Sequence, residues 1–231
     1  MALSGAPSAS RFDTADMSRR AIQAAVPLAL VVGIVVAATV LLSSGHGKTK
    51  LPGGVRRTSA AHGLRGGVVS PVKPAPPFAL DDYLGRHVTL GQYRGKVVLV
   101  TFLYTHCPDV CPLIASNLKL VLARLGPAAN KVQAIAVSVD PRGDTPNSVA
   151  DFLKARGMSG KMEYLVGSAA QLGRVWSAWN VGSQRDASNP QLVAHSALVY
   201  GITASGKLRT IYAANFNPDE IVHDVPILAA S

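Results

Sequence analysis

Residues Tyr104–Pro112, "YTHCPDVCP", hold both cysteines of the chain, Cys107 and Cys111, beside a histidine and between prolines. Three kinds of chemistry use two thiols so placed: a structural disulfide, a redox dithiol, or two ligands of a metal. A run of β-branched and aromatic residues, "KVVLVTFLY", precedes them, and apolar residues at helical spacing follow at Val110, Ile114, Leu118 and Val121. The pair therefore falls where a strand hands over to a helix. Unpaired N–H groups and the positive dipole end at that point favour thiolate, so both cysteines are expected to be anionic. On a regular helix, Cβ atoms four residues apart lie ~5–6 Å from each other. A disulfide wants ~3.5–4.5 Å and would close only a very small loop. A purely structural bridge is thus the poorest use of the pair. Two thiolates one turn apart suit copper or zinc, with a third donor from elsewhere, and they can still oxidise.

The elements that must position them begin near Phe78. "VQAIAVSV" reads as a second buried strand, followed by a helix capped by Thr145 with Pro146 in its first turn. "EYLVG" is a short strand, and Ser168 with Gln171 makes a capping box for a helix carrying Trp176 and Trp179 as core residues. "SALVYGI" and "LRTIY" flank a turn as an antiparallel hairpin. A short closing helix starts at Asn217-Pro218, limited by Pro226. "FALDDYLGRHVTLGQYRGK" is an entry hairpin. The order predicts an α/β sandwich with a mixed sheet.

Ahead of this domain the 231-residue chain changes character. Residues 24–42 carry no charge and nearly cross a hydrocarbon core of ~30 Å, so one N-terminal transmembrane helix is expected over 21–43, after a short N-terminus at 1–20. A signal peptide is the rival, but the run is long for one. Residues 44–77 have six basic side chains and no acid, whereas 78–231 have fourteen basic and eleven acidic ones. Most of the net charge of +10 thus belongs to a Gly/Pro-rich tether. That distribution argues against a nucleic-acid domain, which would carry its excess on a folded face.

Of the histidines, His46 and His62 fall in the tether, His87 in the entry hairpin and His223 near the C-terminus; His106 is expected to point away from Cys107. His195, at the mouth of the penultimate strand, remains either a polar loop residue or a ligand. Asp140 ends the second strand on the same sheet edge as Cys107, as a supporting group for the site or as an Asx-type loop former. Asp109 is read as a loop former.

"VVLVTFLYTHCPDVCP", "VSVDPRGDTP" and "HSALVYGITASGKL", in that order, resemble the Sco/SenC family of membrane-tethered, thioredoxin-like copper proteins. The resemblance covers most of 78–231 and implies a thioredoxin-like sandwich. It also implies Cu(I) or Cu(II) bound by Cys107, Cys111 and His195, and a role in assembling the copper site of cytochrome c oxidase. The partner would be the copper-acceptor subunit, with a thiol reductant as a further one. The domain would sit on the extracytoplasmic side of the cell membrane, anchored by a single pass. Relatives often have an acid before the histidine, where this chain has Ala194. The competing reading is a thiol–disulfide oxidoreductase working through Cys107 and Cys111 alone, and a peroxiredoxin is the weaker third. A reductase would present a cis-proline to the dithiol, whereas here His195 lies nearest the strand and Pro190 five residues earlier.

Overall fold

The computed structural model describes residues 63–185, 187, 188 and 192–231. The segment expected to cross a membrane, 21–43, lies outside them. The elements are β1 (Gly67–Pro74), β2 (Ala79–Asp82), β3 (His87–Thr89), β4 (Val97–Leu103), α1 (Val110–Leu125), β5 (Val132–Ser138), α2 (Pro146–Arg156), β6 (Met162–Val166), α3 (Ala169–Trp179), β7 (Ser183–Arg185), β8 (Val193–His195), β9 (Leu198–Ile202), β10 (Lys207–Ala213) and α4 (Pro218–Ala229).

Eight strands form one sheet in the order β1-β10-β9-β4-β5-β6-β2-β3, and β7 and β8 form a separate ribbon. β4 runs parallel to β5, and β5 to β6, while β9 is antiparallel to β4. All seven residues of β4 are buried, as a strand covered on both faces requires. The two faces can be told apart at β9. Tyr200 packs edge-to-face against Trp179 of α3, with ring centroids 5.2 Å apart. At the next residue, a Cβ on Gly201 would approach Leu228 of α4 to 3.3 Å. Consecutive strand residues point to opposite faces, so α3 and α4 cover opposite sides. α1 packs beside α4. Val110–Lys131 is apolar and long enough to cross a membrane, but Ile114, Ala115, Leu118 and Val121 within it are fully buried in the domain core.

Local signals hold where the expected elements form. Thr145 accepts from the Ser148 amide, Ser168 and Gln171 close the capping box, and Gly157 ends α2 in the left-handed region at φ 64°. Two readings need correction. The tether expected to run to Pro77 has become part of the fold well before that. Leu64 is buried, β1 pairs with β10, and the amides of Arg65 and Gly66 donate to the buried carboxylate of Asp224. The closing helix also continues past Pro226 to Ala229.

Candidate metal centre

The thiols sit at the corner between β4 and α1. Cys107 precedes the helix, whose N-cap is Asp109, and Cys111 lies in its first turn. Both thiols are free and buried, at 6% and 0% exposure. The Cys111 amide donates to Cys107 Sγ at 3.4 Å, so one sulfur occupies the place where a helix N-terminus attracts negative charge.

The two thiols are not equivalent, which corrects the expectation that both are anionic. The Cys111 side chain donates to Cys107 and, with the Cys111 and Asp109 amides, holds the Cys107 pKa down to about 6 against the opposing effect of burial. Cys111, as the donor to Cys107 and fully enclosed, is pushed far above the thiol range. The corner thus carries one thiolate and one thiol near neutral pH.

His195 comes from the far side, at the end of β8. Its Nδ1 donates to the Val193 carbonyl at 3.1 Å, which leaves Nε2 as the nitrogen with a lone pair. That Nε2 lies 4.0 Å from Cys111 Sγ. Tyr104 packs edge-on against the imidazole, with centroids 5.6 Å apart, and burial pushes its phenol up to about 12. Tyr104, Cys107, Asp109, Val110, Val193 and His195 line an open groove of about 590 Å³. The fold therefore brings Cys107, Cys111 and His195 to one place, although Cys111 and His195 are 84 residues apart in the chain. Among the described residues, no three His, Cys, Asp or Glu side chains already stand close enough to enclose an ion. Zinc lies about 2.3 Å from thiolate sulfur and about 2.0 Å from imidazole nitrogen, so one ion can bridge such donors up to about 4.3 Å apart. The Cys111–His195 separation falls inside that reach.

Asp140 is buried at the end of β5, and its Oδ1 accepts from the Arg142 amide, the Asx-type bond of a loop former. The residue that ties this loop to the thiol corner is Asp144, which the sequence reading passed over. Its Oδ1 accepts the Thr105 amide at 2.8 Å, and its Oδ2 accepts the hydroxyls of Ser138 at 2.6 Å and Tyr164 at 2.9 Å. Burial pushes its carboxyl up despite these donors. One side chain thus fixes the end of β4 to β5 and β6, two residues before Cys107. The signal was present in "VSVDPRGDTP", which holds both aspartates.

His106 is exposed, with Nδ1 3.1 Å from Thr105 Oγ1, on the side of the 140–143 loop. A methyl group on Gly143 would stand 2.3 Å from Asp140 Oδ2 and 3.1 Å from His106 Nδ1. Gly143→Ala is expected to displace both and cost about 1–3 kcal/mol, read as a lowered unfolding midpoint. An unchanged midpoint would mean that the loop is slack.

The SCO1/SenC family model matches residues 70–230. The chain belongs to the SCO1/SenC family. ScoI of Bradyrhizobium japonicum, solved with copper bound, is 32% identical, with TM-score 0.59, over 67% of this chain and 99% of that one. The apo Sco1 of Thermus thermophilus is also 32% identical, with TM-score 0.64, over 73% and 99%. Among curated SCO proteins, the bovine mitochondrial SCO2 homolog is 29% identical over 155 residues, 64% of this chain and 57% of that protein. The chain spans about half to three-fifths of the length of the first curated SCO relatives it matches. Their shared mixed sheet is the thioredoxin-like sandwich of this SCO1/SenC domain.

Proposed function

We propose that this SCO1/SenC protein carries copper on Cys107, Cys111 and His195 and hands it to the copper-acceptor subunit of cytochrome c oxidase. The observation that carries the reading is His195 Nε2 facing Cys111 Sγ at 4.0 Å, in the groove that Cys107 also lines. A donor set of two sulfurs and one imidazole suits Cu(I) through the thiolates and Cu(II) through the nitrogen as well. The copper-bound relative at 32% identity supports the same cargo. Cys107 is ready to bind as thiolate, and Cys111 would give up its proton on binding, as metal ligation by thiols requires. The Val193 carbonyl holds the tautomer of His195 that can ligate. In this reading residues 21–43 anchor the chain, 1–20 remain cytoplasmic, and the domain works outside the cytoplasm.

A second reading has its own support. A thiolate beside a protonated partner thiol is what an attacking and a resolving cysteine need for disulfide exchange, and it would keep the acceptor's cysteines reduced.

The test is to reduce the full chain, load it with Cu(I), desalt it and measure retained copper. About one copper per chain is expected, and His195→Ala should weaken retention by about 10-fold or more while the dithiol still oxidises and reduces. Copper binding indifferent to His195, with loss of reductase activity on either cysteine change, would move the assignment to disulfide exchange.

A further inference from the structure

We propose that the end of the sheet opposite the thiols is a docking surface for an anionic lipid bilayer. The reading rests on the membrane anchor proposed above. The fold places there what the sequence scatters. Each parallel strand is preceded by an exposed lysine: Lys96 before β4, Lys131 before β5 and Lys161 before β6. β10 starts with Lys207, and Lys73 of β1 pairs with Leu208 beside it; both lysines are exposed. Neighbouring strands lie ~4.8 Å apart, so the five ammonium groups rim one end of the sheet. Among the described residues none of the five forms an ion pair. Of the acidic side chains toward that end, Asp82 and Glu163 are held by Arg86 and Asp81 pairs with His87, while Ser231 lies against the Ser205 amide in the turn before Lys207.

An apolar tip stands in the same place. Leu84, in the turn between β2 and β3, is 62% exposed, more than the other exposed large hydrophobics. It shares a groove with Lys161 and with the first residues of β5 and β6, Val132 and Met162. The opposite end carries Asp109, Asp140 and Asp144 around the thiols. The seven residues of β4 put ~23 Å between Lys96 and that corner.

An apolar side chain at one edge of a row of lysines matches a surface of anionic headgroups, where each lysine adds to attraction. The bilayer is within reach, because the 20 residues between Leu42 and Gly63 can extend ~66–72 Å. With the lysine rim on the membrane, the Cys107–Cys111–His195 face points outward to an approaching partner.

The experiment uses the full chain carrying Leu84→Trp, reconstituted into vesicles with brominated acyl chains, and wild type as the tryptophan background. Quenching is expected in vesicles of phosphatidylcholine with phosphatidylglycerol. It should be lost in phosphatidylcholine alone and reversed by salt, which needs no further variant. Changing Lys96, Lys131, Lys161 and Lys207 to Glu should lower the docked-to-undocked ratio read from the quenching at least about fivefold, the loss expected for even one surface-held lysine. Absence of quenching on anionic vesicles overturns the proposal, as does quenching that ignores both salt and the four changes. Salt-sensitive capture by polyglutamate without quenching would assign the lysines to an acidic protein and overturn it too. Failure of the chain to float with neutral vesicles overturns the anchor on which the proposal rests, whereas floating without quenching overturns the docking alone.

Discussion

In the reduced, metal-free protein, alkylation of Cys107 is expected to follow a thiolate titration centred at about 6, down from the reference thiol value of 9.0. The midpoint is the observable to follow, because the rate itself will mislead. A thiolate gains population as its pKa falls but loses intrinsic nucleophilicity, with a Brønsted slope of ~0.4–0.5. At neutral pH those effects largely offset each other. Iodoacetamide labelling across pH, read by peptide mass, separates them. Cys111→Ala removes the first cause of the shift, the S–H donated to Cys107, and should move the midpoint back toward the ordinary value. A wild-type midpoint above about 8 would sink the asymmetry described for the corner.

The same asymmetry gives stability a pH dependence whose sign is fixed. A lowered acid pKa contributes stability above the unfolded value and loses it as pH falls through the folded one. For Cys107 the gain grows from about 6 up to the reference thiol value of 9.0. Cys111 acts the other way, since its folded pKa is raised. Above 9.0 the unfolded chain releases that proton and the folded chain keeps it, so stability declines. In the reduced protein the pair therefore contributes most near the reference value, and Cys107→Ser should flatten the rising limb in denaturant titrations.

Asp224→Ala is expected to cost about 2–5 kcal/mol, because the buried Tyr212 hydroxyl and the part-buried Arg65 and Gly66 amides would all lose their acceptor, at about 1–3 kcal/mol for a donor left unsatisfied. Its carboxylate is fully buried and accepts the Arg65 amide at 2.9 Å, the Gly66 amide at 3.0 Å and the Tyr212 hydroxyl at 2.9 Å. Alanine would leave these donors facing a void. A chain begun at Phe78 should suffer similarly, because it keeps the carboxylate and removes β1 with both amides. The control is Asp219→Ala, which breaks the exposed pair with Arg124 and should cost no more than about 1 kcal/mol. Urea unfolding of the three proteins checks this. Equal midpoints for Asp224→Ala and Asp219→Ala would refute the anchoring role.

How much of this could be read from residues alone differs from element to element. β4, β5 and their helices were legible because continuous apolar runs and capping residues report burial and helix starts directly. β1 was not, since "GVVSPVKP" buries only Val68 and turns most of its length to solvent, which by composition looks like a linker. Strands of three residues, such as β7 and β8, carry no period at all. At the site, the positions of Cys107 and Cys111 followed from the strand-to-helix boundary. Their inequality did not, because it depends on which thiol is enclosed and which receives the amide. Asp140 and Asp144 occupy one motif, and only the packing distinguishes the loop-forming acid from the one that links three strands. Pro190, weighed against His195 in the sequence, lies outside the described residues.

Cys107 and Cys111 stand on a corner fastened by Asp144 to the central strands, whereas β8 is three residues long and pairs with a partner equally short. If all three donors hold the cargo, two stand at a corner of the main sheet and one on a separate two-stranded ribbon. Residence time would then be set by the lifting of the ribbon, not by simultaneous rupture of all the bonds. An incoming thiol could take the vacated position first and the remaining sulfurs could yield in turn, so that the ion is never without ligands during the exchange.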